Sequence, residues 1–100
     1  MRQLPHVERL RADVLSHREL LRAACWSARK PPPELTSVSV LVELKLRADA
    51  TVASRQIMLR DPRLGLKLPG LELCIQGTLP PPKLAPPGFP VETVVELTLP

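Results

Sequence analysis

The sequence predicts an α+β domain: one long N-terminal helix followed by a small, mainly antiparallel sheet of about five strands. Two patterns carry that expectation. Between Val7 and Ala28 the apolar residues recur at helical spacing, and between Thr36 and Ala48 they switch to strict alternation. The alternative arrangement is a small β-sandwich from which the helix projects. The chain divides into an amphipathic helix over residues 1–30, a proline spacer over 31–35, and an antiparallel β domain over 36–100 with a proline-rich loop at 80–90.

The strand at Thr36–Ala48 has the cleanest pattern. Val38, Val40, Val42, Leu44 and Leu46 share one parity, against Ser37, Ser39, Glu43, Lys45 and Arg47 on the other. Successive strand side chains point to opposite faces, so one face is dry and one wet. Leu41 alone breaks the wet face, which points to a partner covering that spot.

The helical stretch begins near Pro5, a residue tolerated in a first turn because its missing N–H needs no partner there. Val7, Leu10, Val14, His17, Leu21, Ala24 and Ala28 form a heptad seam, widened by Leu15, Leu20 and Cys25. Glu8, Arg9, Glu19 and Arg22 occupy the opposite face, and Asp13 stands four residues before His17, the spacing of a helical ion pair. So long a helix is expected to project in part beyond a domain of 100 residues. Pro31-Pro32-Pro33 ends it and forms a stiff extended spacer.

After a turn at Ala48–Thr51, Val52–Arg60 reads as an edge or two-sided strand, since neither parity is wholly apolar. Leu64, Leu66 and Leu68 predict a short third strand behind the Asp61-Pro62-Arg63 turn. Pro69-Gly70 is a type II turn signal. Leu71, Leu73, Ile75 and Leu79 predict a fourth strand with a bulge at Gly77. The last strand runs from Val91 to Leu99, with Val91, Val95, Leu97 and Leu99 on one parity. A chain that stops one residue later, at Pro100, is expected to be a fragment or short isoform of something longer.

With Phe89 and Trp26 the sole aromatic residues, the core must be aliphatic. Thirteen prolines, far above the usual ~5%, cluster in three places and so punctuate ordered elements. No apolar run approaches the ~20 residues of a membrane span. The start Met1-Arg2-Gln3 has no long apolar stretch behind it, and Glu8 and Asp13 argue against a transit peptide. Cys25 and Cys74, distant and in unlike contexts, read as reduced thiols of an intracellular protein, in cytoplasm or nucleus.

Four side chains, Cys25, Cys74, His6 and His17, are the candidates for metal or nucleophile chemistry, and their spacing fits no zinc site and no local Cys–His signature. The glycines sit singly, so there is no phosphate-cradling loop. No catalytic residue, cofactor or metal is assigned. Arg55, Arg60, Arg63 and Lys67 cluster around one turn, and with a net charge of +4 they form the candidate phosphate-contacting patch. Arg9, Arg11, Arg18 and Arg22 line the helix, but the strands lack aromatic residues on which bases would stack. Pro81, Pro82, Pro86 and Pro87 favour an extended form that a proline-reading domain recognises, although a stiff crossover explains them better. Phe89 is expected to plug one end of the core.

A helix, a meander and a proline-rich loop before a strand ending Leu97-Thr98-Leu99-Pro100 is loosely similar to RWD and ubiquitin-conjugating-like domains. It is also loosely similar to adaptin-ear sandwiches that follow a coiled helix in large scaffolds. No cysteine stands where a conjugating enzyme needs one, and no residue role carries over from either. The functional expectation is a non-catalytic protein–protein interaction module, a subunit or fragment of a larger intracellular assembly. The seam Val7, Leu10, Val14 and Leu21 would bury against a partner helix, a second copy in an oligomer or the chain's own sheet, and an exposed strand, Val52–Arg60 or Val91–Leu99, would add edge pairing. The alternative is a basic domain of a nuclear complex that contacts nucleic-acid phosphates.

Overall fold

A computed structural model describes residues 4–100 of the chain, so the Met1-Arg2-Gln3 start lies outside the described residues. The α+β class stands, with three antiparallel strands where about five were expected. β1 (Val38–Leu46) is central, flanked by β2 (Val52–Leu59) and β3 (Val91–Leu99) in the order β2-β1-β3. Val42 lies opposite Ile57 on one side and Val95 on the other, so the dry parities of all three strands align on one face.

Helices cover that face alone. α1 (Leu4–Ser16) and α2 (Arg18–Leu21) are separated by His17, whose φ of −97° and ψ of 9° interrupt the helical path. Asp13 and His17 form no ion pair. Arg22–Trp26 then makes a π turn and Ser27–Arg29 a 3₁₀ turn, closed by Lys30 in the left-handed region at φ 50°. A π turn holds one residue more than an α turn, so it rotates the inward face. Leu10, Val14, Leu21 and Cys25, spaced four, seven and four, keep one face inward, and the extra residue of the π turn lets Trp26 join them, while the seam positions Ala24 and Ala28 are exposed. Leu15 and Leu20 also remain outside the core.

Two predicted strands are helical. Asp61 caps a 3₁₀ turn at Pro62–Leu66, its side chain accepting from the Arg63 N–H at 3.1 Å. Asp followed by Pro opens a helical turn as readily as a β-turn, because Pro presets φ and needs no donor. The Pro69-Gly70 turn forms as expected: Leu71 N–H reaches Leu68 O at 3.2 Å, with Gly70 at φ 79° and ψ 1°. α3 (Leu71–Thr78) follows, burying Leu71 and Ile75 with Leu79 just beyond, a spacing of four that suits a helix. Leu73, which completed the apparent alternation, is 79% exposed. The proline spacer is not straight, since Leu35 N–H donates to Pro32 O at 2.9 Å and closes a turn.

The cysteines are not reduced thiols. Cys25, at the end of the N-terminal helical segment, is disulfide-bonded to Cys74 on α3, with Cα atoms 5.7 Å apart. Cys74 lies on a helix and not on a strand, and Cys25, four residues after the buried Leu21, faces inward to meet it. The intracellular reading rests on free thiols and loses that support.

Leu10, Val14 and Leu21 pack in the same core as Val40, Val42, Val95 and Leu97. Leu10→Asp or Leu21→Asp is therefore expected to unfold the chain, read as loss of strand and helix signal by circular dichroism. Reduction, or Cys25→Ser with Cys74→Ser, opens a loop of sequence separation 49 and should cost about 4 kcal/mol by the chain-entropy relation. Urea denaturation with and without reductant measures that loss.

Candidate interaction surface

The seam residues are drawn together by the fold, but inward. Leu10 and Leu21 are 0% exposed, Val14 is buried, and Val7 is half-buried against the same core. They cover the chain's own sheet and offer no face to a partner.

The four cations of the candidate basic patch do not converge. The Arg55 guanidinium turns toward α3 and donates to Gln76 O at 2.8 Å, Gln76 Oε1 at 3.2 Å and Pro80 O at 3.3 Å. Its partial burial lowers its pKa from the ordinary arginine value. Arg60 meets Glu96 at 2.7 Å across the sheet, and Lys67 lies 3.9 Å from Glu34. Arg63 grips Asp61 with Nε and Nη2, both at 3.0 Å. That hydrogen bonding holds the Asp61 carboxyl below the usual carboxylate range and raises the Arg63 pKa. On the helix, Arg22 pairs with Glu19 at 2.9 Å, and Arg18 donates to Thr98 O at 2.8 Å and to Pro100 O.

What stands open is the sheet face away from the helices. Leu41 lies opposite Met58 on β2 and Glu96 on β3, and Glu43 lies opposite Gln56 and Val94. Leu41 is half-buried by its neighbours, Met58 is partly exposed, and Val94 is 49% exposed. Around these apolar side chains stand Glu43, Lys45, Arg60, Glu92 and Glu96. The odd Leu on the wet parity of β1 thus pairs with Met58 on β2 and has Val94 diagonally across on β3.

The two sheet edges differ. Along β2, Gln76 Nε2 on α3 donates to Arg55 O at 3.0 Å, so one outward carbonyl of that edge is capped. Beside the cap, Arg55–Met58 and the α3 residues Glu72 and Leu73 line an open groove of about 600 Å³. Along β3, among the described residues, the single hydrogen bond to an outward main-chain group is Arg18 to Thr98 O. The loop from α3 to β3 is tied by Gly88 N–H to Ala48 O at 3.0 Å, and Phe89 packs against the core with His6 edge-on at 5.3 Å.

Among the described residues no group of three or more His, Cys, Asp or Glu side chains is placed to hold a metal, and no helix is long and apolar enough to cross a membrane. The paired cysteines have no thiol, and the Thr78 hydroxyl lies 3.7 Å from Cys25 Sγ and 3.8 Å from Cys74 Sγ. Comparison with protein-family models, curated proteins and solved structures finds no match for the chain.

The Arg55–Gln76 link was not legible in the sequence, because 21 residues and a misread helix separate the two. Gln76→Ala leaves Arg55 O and the half-buried guanidinium short of partners. It should cost about 0.5–1.5 kcal/mol, checked by thermal unfolding against wild type.

Proposed function

We propose that the chain is a non-catalytic protein–protein interaction module that joins a larger assembly through the helix-free face of its sheet. One observation carries this reading. The helices gather on one side, leaving Leu41, Met58 and Val94 near one another on the other, where no helix among the described residues covers them. Single exposed apolar residues are ordinary on protein surfaces; the cross-strand pair Leu41 and Met58, with Val94 diagonally beside Leu41, is the kind of cluster a protein contact uses. The charged residues at its margin match the polar rim of such contacts.

A phosphate-contacting role finds less support, since the cations at the Arg60–Lys67 turn are held by carboxylates of the same chain. The test is site-directed photo-crosslinking in cells, with a photoreactive side chain placed at Leu41, at Met58, or on the helical side at Leu15. Crosslinking of one protein partner from Leu41 and Met58, lost when Val94→Arg is added, is expected. Adducts from Leu15 alone, or crosslinks to nucleic acid, would overturn the reading.

A further inference from the structure

The main-chain directions along β3 follow from two hydrogen bonds. In an antiparallel sheet, alternate residues of a central strand bond to alternate neighbours. Arg60 N–H donates to Ser39 O at 3.0 Å, so Ser39, Leu41 and Glu43 turn their main-chain groups to β2. Val38, Val40, Val42, Leu44 and Leu46 therefore serve β3, where they face Leu99, Leu97, Val95, Thr93 and Val91. Glu92, Val94, Glu96 and Thr98 are left with N–H and C=O pointing away from the sheet. Thr98 O confirms the phase by accepting from Arg18. Among the described residues, the outward groups of Glu92, Val94 and Glu96 have no protein partner.

The same three residues carry their side chains on the helix-free face. There Val94 is flanked by Glu92 and Glu96 along the strand, and Glu43 faces it from β1. A chain of net charge +4 thus places three of its ten carboxylates around one exposed valine on an unpaired edge. Glu96 has Arg60 for company, and Glu92 faces Lys45 on β1 with no ion pair formed among the described residues.

We infer that the outer edge of β3 is a strand-addition site for an extended segment of another protein with a basic-x-apolar-x-basic pattern. This rests on the interaction-module reading and names its geometry. The incoming strand hydrogen-bonds to Glu92, Val94 and Glu96, sets its apolar residue beside Val94, and places its cations by the two glutamates. A second copy of this chain fits poorly. Antiparallel pairing centred on Val94 sets Glu92 against the other copy's Glu96, and centring on Glu96 sets that residue against itself. Centring on Val95 needs Thr98, whose carbonyl Arg18 already holds. Arg18 also fixes where an added strand must stop. The β2 edge is the weaker candidate, because Gln76 occupies the place of an incoming donor.

The probe is a peptide Thr-Thr-Lys-Thr-Val-Thr-Lys-Thr-Thr, compared with its counterpart carrying Glu for both Lys, added to the full chain with disulfide intact. The lysine peptide is expected to slow amide exchange at Val94 and Glu96 severalfold, and the glutamate peptide to leave it unchanged. Glu92→Lys leaves one cation and one carboxylate at the site, so it should erase the lysine peptide's advantage of roughly two- to tenfold in affinity. Val94→Pro removes an outward N–H and no β1 bond, so it should abolish binding while the thermal transition persists. Glu92→Lys keeps the idea testable should that proline disturb the strand. Equal protection by both peptides, protection at Ile57 instead of Val94, or a dimer of the free chain by light scattering overturns the inference. Unchanged exchange with the Leu41 crosslink intact defeats the edge alone; loss of that crosslink defeats the module reading with it.

Discussion

Everything in this fold hangs on the alternation of β1. Its five dry side chains, Val38, Val40, Val42, Leu44 and Leu46, are all buried, and its main chain bonds to both neighbours. Each such burial is worth roughly 1.5–3 kcal/mol before ordering costs. A shift by one residue would carry all five to the helix-free face, so register is strongly specified. The helices accordingly need only one inward stripe, and the break at His17 and the π turn at Arg22–Trp26 are adjustments that keep the stripe on that dry face.

Having one dry face has a counterpart in function. A three-stranded sheet roofed on one side leaves as much strand surface outside as in, and two edges besides. The β2 edge is partly closed by α3 through the Arg55–Gln76 link, whereas among the described residues β3 is guarded only where Arg18 and Pro100 meet its end. Natural sheets manage open edges with charge, proline or cover. Here Glu92 and Glu96 discourage self-pairing and leave the edge suited to a partner of opposite charge.

The strands were legible because the five apolar residues of β1 share one parity, and β3 runs over the residues the sequence predicts. Residues 64–68 and 71–79 misled because apolar residues alternate in both, Leu64, Leu66 and Leu68 in one and Leu71, Leu73 and Ile75 in the other. Leu66 and Leu73 are exposed at 92% and 79%, so those leucines do not report a buried face. In α3 the informative spacing was Leu71, Ile75, Leu79, which fits four as well as two. The seam was read correctly as an apolar helix face at Leu10, Val14 and Leu21, but amphipathicity cannot say whether a helix covers its own sheet or another molecule. The disulfide was invisible for a related reason. Pairing across 48 intervening residues depends on α3 being a helix packed against the N-terminal helical segment, and that leaves no local signature. The open face had one honest trace, the lone Leu41 on a wet parity.

The disulfide also partitions the chain mechanically. The covalent ring closed by Cys25 and Cys74 encloses β1 and β2, while α1 and β3 lie outside it. Tension applied between the two ends of the chain passes through the sulfur bridge and bypasses everything within the ring. Such a load falls on α1 and β3, the elements outside the ring. The open edge of β3 thus lies in the part of the chain that carries tension, while the bridge keeps the segment between the two cysteines from being drawn out.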